Sequence, residues 1–419
     1  MKISSRRRLA CALSIAAVAC GAPRVTPDTH GTPAVANQCG RGVIVVESDY
    51  QSSNVSLLGF DGSVLSPSFA SSSAASGGFA LSLGGDVAPP WSSNSGSEIV
   101  LLDRTPKGVL HFIDVASANT VRDLPVGTGF SANPHDYLQL SEHKAYVARY
   151  DTNPNPGREP WDQGGDILLV DPALPAVIGR IDLGAALSGE AARFTPHPSR
   201  LVRVGQRVFV VLAAYTADYA SATVSRLVEL DPERDSIRAT LLLDGLKGCD
   251  VLAASPDGVE LAVACTGADL SDTPPAVGAS GIALVDIEHE PSLKNVLSAA
   301  TFGANPLGFG LDYAGPGRLL FGTLGYFTES NRVGSLDAVF RLDTASGAFS
   351  EVLHAEHSPF TLGDVRCMPA CQVCFIADAE RAGGSVLRFP LDDAFELGAP
   401  SEIRAETEIG LPPRYLGAF

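Results

Sequence analysis

The sequence lacks sustained helical periodicity, and it lacks the short motifs that mark common catalysts: there is no G-x-S-x-G elbow, no P-loop and no G-x-G-x-x-G after a strand. These absences leave α/β-hydrolase, nucleotide triphosphatase and dinucleotide chemistry without a carrier. Positive charge is scarce, 30 Lys and Arg against 47 Asp and Glu for a net of −17. Nucleic acid and anionic lipid head groups are therefore poor partners. Long apolar runs are missing too. The run at the start, Leu9 to Ala19, is too short to cross a bilayer.

What is present begins with MKISSRRRLACALSIAAVAC, where Lys2, Arg6, Arg7 and Arg8 precede that run, the layout of a secretory signal over residues 1–19. Ala17, Val18, Ala19 and Cys20 resemble a bacterial lipobox. The resemblance implies cleavage before Cys20, lipidation of its thiol and export, with Gly21 at the position that in such lipoproteins permits outer-membrane sorting. Residues 20–38 then form the lipidated cysteine and a tether rich in Pro, Thr and Ala (GAPRVTPDTHGTPAVANQ) without periodicity. Loss of residues 1–19 removes four basic side chains and leaves 26 against 47 acidic ones, a net of −21 that favours a soluble monomer held to the membrane only by its lipid.

From Cys39 to Phe419 short runs of Val, Ile, Leu, Phe and Tyr alternate with turn clusters. NPHDYLQLSEHKAYVARY (133–150), CDVLAASPDGVELAVACTG (249–267) and NPLGFGLDYAGPGRLLFGTLGY (305–326) each read as strand, tight turn, strand. A third strand and an Asp-led turn follow in DILLVDPALPAVIGRIDL, SRLVELDPERDSIRATLLL and DAVFRLDTASGAFSEVL. Seven such units start near residues 40, 79, 133, 194, 249, 305 and 360, which predicts one all-β domain over residues 39–419: a seven-bladed β-propeller of four-stranded antiparallel blades. GVIVVESDY (42–50) has the pattern of a second strand and LPPRYLGAF that of a first, so the C-terminal strand should complete the first blade and remove the open edges.

On the NPHDY start, the SPDG turn and the VDP turns, the chain resembles bacterial propellers of the YVTN type, relatives of the WD-repeat and quinoprotein-like propellers, in their exported lipoprotein form. The resemblance covers everything after the tether and implies a platform for binding. Such folds host many chemistries, so function has to be argued from a site. With only Trp91 and Trp161, the aromatic floor of quinone-dependent propellers has little support, and no cofactor is expected.

The loops from second to third strand are long (150–165, 215–223, 266–281 and 325–337), and insertions on one face mark a binding surface. An envelope protein, a small molecule or a glycan is the expected partner, bound without catalysis; the alternative is a lactonase- or lyase-like enzyme working through an axial site. The starts of the first strands should bring His135, Asp136, Asp250, Asn305, Asp364 and Arg414 around the axis, with His197 a further candidate. Such a ring suits a ligand or cation and equally serves to solvate a channel mouth. His354 and His357 read as surface residues. Asp151, Asn153 and Asn155, with Asp162 further on, have the alternate spacing of a calcium loop, but Pro156 stands where the turn glycine belongs and no Glu closes it. Calcium is thus the one candidate cation, on a loop whose simpler role is solvation.

Six cysteines remain after Cys11 and Cys20 are set aside, an even number outside the cytoplasm, which favours disulfides. The spacing of Cys367, Cys371 and Cys374 matches iron–sulfur enzymes, but an exported hairpin is the wrong context. A three-residue turn would set Cys367 opposite Cys371 and turn Cys374 to the other side of the sheet. A bridge from Cys39 to one of these would fasten the first blade to the last, with the pairing left open. Cys249 and Cys265 fall one place out of register around SPDG, and a single bulge at the turn would join them.

Overall fold

The computed structural model describes residues 40–73, 82–92, 97–267, 274–380, 384–405 and 408–419. Seven four-stranded antiparallel sheets follow one another along the chain. Their first strands are Pro413–Ala418, Val87–Ala88, Pro134–Ser141, Pro198–Val204, Cys249–Ala254, Leu307–Gly315 and Leu362–Met368, for blades 1 to 7. First strands of successive blades touch, as blade 3 with 4, 4 with 5 and 5 with 6 do, which places them around the axis. The C-terminal strand Pro413–Ala418 pairs with Val43–Ser48, so the chain end closes blade 1.

Burial follows from this arrangement. A strand between two others in a blade packed on both faces is buried at every residue, as in Val43–Ser48 (VIVVES) and Glu260–Cys265 (ELAVAC), so its sequence shows no alternation. The outermost strand of blade 4, Ser236–Leu242, is partly or fully exposed throughout. The Asp-led turns work as the sequence implies: Asp171, Asp231 and Asp343 each accept two backbone N–H groups two and three residues on.

Polar side chains stitch neighbouring blades together. Asp136 accepts the N–H of Leu201 from blade 4, Asp312 that of Cys367 from blade 7 and Asp364 that of Leu416 from blade 1, at 2.7, 2.8 and 3.3 Å. Between blades 4 and 5, and between 5 and 6, serines do this: Ser225 accepts from Cys249 N–H and Ser280 from Leu307 N–H. Asp337 accepts the N–H groups of Phe360, Thr361 and Leu362, fixing the start of blade 7.

Two disulfides join described residues. Cys249 and Cys265 are bonded (S–S 2.00 Å) and directly opposite in the ladder. The compensating bulge lies at Asp250 rather than at the turn, because the SPDG loop is wider than a two-residue hairpin and pairs Ala254 with Leu261. In blade 7 the expected register is corrected. Pro369–Cys371 form a short 3-10 turn and Gln372 adopts a left-handed conformation, so the turn begins one residue later and is one residue longer than expected, Met368 pairs with Val373 and Cys367 faces Cys374. These two are bonded, and Cys371 is disulfide-bonded as well. Cys39 and Cys20 lie outside the described residues.

Candidate functional site

First strands of six blades carry a register shift near their starts, where the inner strand holds one or two more residues than its partner. The extra residues fall at Arg414, His135, Ser199 and Arg200, Asp250, Gly308 to Gly310, and Gly363 and Asp364. A bulge bends the strand and re-aims its side chain. All of these residues line one cavity of about 580 Å³. The volume suits a small ligand. Tyr50, Arg104, Tyr150, Thr323 and Leu324, at or just beyond the ends of second strands, complete the wall, so the cavity opens on the face that carries the long loops.

Blade 2 departs from the pattern. Its first strand stops after two residues, and Pro89 and Pro90 carry Trp91 across the axis, where it joins a core cluster with Val202 and Val251. The guanidinium carbons of Arg200 and Arg366 sit 3.7 and 3.9 Å from the Trp91 ring centre. Two groups that close to one centre must occupy opposite faces. Arg366 also donates to the Trp91 carbonyl at 2.5 Å, and Trp91 N–H donates to Asp136 at 2.8 Å. Trp91 is thereby the cavity floor, an aromatic role that a count of two tryptophans did not reveal.

The charged lining divides into groups with partners and groups without. Asp136 accepts three N–H groups and Asp364 two, and burial still pushes Asp136 up to about 6. Arg104 pairs with Asp86. Asp250 is pushed up to about 7 by burial, with the Tyr150 hydroxyl and Arg200 opposing the rise, and its Oδ1 has no hydrogen-bond partner. Arg200 Nη1 has none either, and burial lowers its pKa. Both atoms are buried in the wall of the cavity that their residues line from adjacent blades.

Beside them His135 stacks on Tyr150, with ring centres 3.9 Å apart, and Tyr150 lies parallel to Tyr219 at 6.2 Å. Burial holds His135 well below its ordinary value and His197 down to about 4, so both imidazoles are neutral. His135 meets Ser199 at 3.1 Å. The opposite wall, from blade 6, is Gly308, Phe309, Gly310, Gly322, Leu324 and Val339, and is almost wholly apolar.

Of the residues expected around the axis, His135, Asp136, Asp250, Asp364 and Arg414 line the cavity. Asn305 does not. It lies ahead of its strand and donates to the Leu336 carbonyl at 2.7 Å. His197 sits behind the wall, with Nε2 on Thr195. Sequence reasoning missed Arg200, Arg366, Trp91 and Tyr150. In the loop considered for calcium, Asp162 accepts the N–H groups of Gly157, Arg158 and Glu159 and Asn153 accepts that of Asn155, all within the loop, while Asp151 accepts from Tyr219 of the next blade's loop. His354 and His357 are exposed beside Glu351 and Glu380.

No protein-family model matches the chain, and no curated protein sequence matches it. Solved structures do match, at the level of fold. A Lactobacillus plantarum protein superposes with a TM-score of 0.56 at 11% identity, covering 90% of this chain and 99% of that one. The periplasmic gluconolactonase of Pseudomonas aeruginosa gives 0.52 at 12%, covering 90% and 98%. The hydrazine synthase of Kuenenia stuttgartiensis gives 0.51 at 13%, covering 74% and 78%. The chain is a seven-bladed β-propeller whose structural neighbours include a gluconolactonase.

Proposed function

We propose that this propeller is an exported, lipid-tethered protein that binds a small ligand in its axial cavity, through an anionic group on the ligand and without transforming it. The observation that carries this reading is the axial cavity of about 580 Å³ with Arg200 and Arg414 in its lining, the first with its guanidinium on the Trp91 ring. Cationic side chains in a small cavity with an aromatic floor can make charge-assisted hydrogen bonds to a carboxylate or phosphate. Because the ligand would settle against the residue stacked on Trp91, binding should change that indole's fluorescence. A titration of a Trp161→Phe protein with small carboxylic acids reads this directly. No response to any acid, or an equal response in Arg200→Gln, removes the proposal. The tether has its own test: Cys20→Ala should move the protein from the membrane to the soluble fraction.

A second reading, lactone hydrolysis, is favoured by Asp250, a carboxyl held near neutrality beside the Tyr150 hydroxyl in the same cavity, where a general base is wanted. The gluconolactonase among the fold neighbours supports it by analogy alone. Turnover of glucono-δ-lactone that is lost in Asp250→Asn would replace the binding reading with this one.

A further inference from the structure

From the cavity mouth we infer that the ligand is a small aromatic acid, its carboxylate on Arg414 and its ring among Tyr50, Phe309 and Phe360. This rests on the reading of the cavity as a binding site and adds the chemical class of its occupant.

The lining holds three arginines. Arg104 pairs with Asp86, and Arg200 has Asp136, Asp312 and Asp364 around it. Arg414 has no such company. Its guanidinium donates to two carbonyl oxygens, that of Phe360 at 3.1 Å and that of Ser48 at 3.4 Å, and among the described residues it makes no ion pair. Its charge is therefore the one left for a carboxylate.

The surface beside it is aromatic. Tyr50, Phe309 and Phe360 line the cavity from blades 1, 6 and 7, and stand 57%, 50% and 48% exposed. The Arg414 guanidinium carbon lies 5.8 Å from the Tyr50 ring centre. Two of the three rings are carried on left-handed backbone, with φ of 66° at Tyr50 and 63° at Phe360. Glycine adopts that conformation freely and a bulky residue does not, so each ring stands at the mouth against a local cost. Apolar surface left in a small cavity gains by being covered.

A cation among exposed rings selects between acids. A sugar acid would turn hydroxyls toward Phe309 and Phe360, which offer them no hydrogen bond. An aliphatic acid covers the rings but lacks the offset and edge-to-face contacts that aromatic pairs add. An aryl acid brings both the carboxylate and the ring. The floor, where Arg200 lies on Trp91, then receives the far end of the molecule.

The test is calorimetric titration of the exported chain with acids of similar size: phenylacetate, cyclohexylacetate and glucuronate, with phenylacetamide as the uncharged arm. Phenylacetate should bind about fivefold more tightly than cyclohexylacetate and about tenfold or more tightly than the other two. Arg414→Gln should weaken phenylacetate about tenfold and abolish its lead over phenylacetamide. Tyr50→Gly and Phe360→Gly remove a ring where the backbone suits glycine. Each should weaken phenylacetate severalfold without lowering the denaturation midpoint, which separates a lost contact from a lost fold. Cyclohexylacetate or glucuronate binding as tightly as phenylacetate, or an unchanged affinity in Arg414→Gln, would overturn the aromatic acid and leave the cavity reading standing. Silence from every acid overturns the cavity reading itself.

Discussion

Asp136 and Asp250 stand near the starts of inner strands two blades apart in the same circle, yet they do opposite things. Asp136 lies in regular register, opposite Ala148, and spends its oxygens on the N–H groups of Trp91, Tyr137 and Leu201. Asp312 and Asp364 likewise bond to their own strand and the next blade. Asp250 sits in a bulge, one residue early. Ser280 joins blades 5 and 6, and the Asp250 Oδ1 is left buried without a hydrogen-bond partner. Asp364 also lies at a register shift and still makes its seam, so what sets Asp250 apart is the missing bond to the next blade and not the bulge alone.

The comparison is broken most severely at Asp136. Asp136→Ala strands three buried N–H groups at the junction of blades 3, 4 and the Trp91 segment, and should cost about 3–5 kcal/mol, seen as a large fall in the denaturation midpoint. Asp312→Ala and Asp364→Ala, with two N–H groups each, should cost about 2–3 kcal/mol. Equal, small losses at all three, matching Asp250→Ala, would show that the seams are not what these carboxylates are for.

The disulfide beside the bulge sharpens the contrast at a smaller scale. Cys249–Cys265 closes a separation of 16 residues and Cys367–Cys374 one of 7. Chain entropy predicts stabilisation of about 3 and about 2 kcal/mol. Only the first pins the strand at Asp250, so Cys249→Ser with Cys265→Ser should weaken ligand binding as well as lower the midpoint, whereas the Cys367 and Cys374 pair of substitutions should lower the midpoint alone. Loss of binding from both would disconnect the bulge from the site.

The propeller itself was legible because it is written in repeats: strand, turn and strand in NPHDYLQL, SPDG and the VDP turns, and a C-terminal segment patterned as a first strand. Five residues of the axial ring were legible for the same reason, since strand starts crowd the axis. Bulges leave no such trace. Alternation along Pro198–Val204 gives no hint that Arg200 is aimed inward, and nothing in PPW says that blade 2's inner strand ends early to lay Trp91 across the channel. The expected pairing of the blade 7 cysteines failed because the turn begins one residue later and runs one residue longer, which moves the partner of Cys367 three places, from Cys371 to Cys374.

The smallest expected effect is the most discriminating, because its sign differs from the others. Asp250 titrates near 7 in the folded protein against an ordinary value of 3.8, raised by burial. The folded state therefore holds this proton more tightly than the unfolded chain. Below about pH 4 both states are protonated and the group is neutral in the balance; as pH rises toward 7 the unfolded chain has released its proton while the folded one keeps it, so stability falls, and above 7 the penalty is complete. The shift sets an upper bound of about 4 kcal/mol, and water in an open cavity reduces this to about 1–2 kcal/mol. Asp250→Asn removes the titration. Unlike Asp136→Ala, it should be more stable than the parent at pH 8 and indistinguishable from it near pH 4, as denaturant midpoints at the two pH values would show. A destabilised Asp250→Asn at pH 8 would mean that the carboxylate has a structural partner after all, and would return Asp250 to the company of the other three.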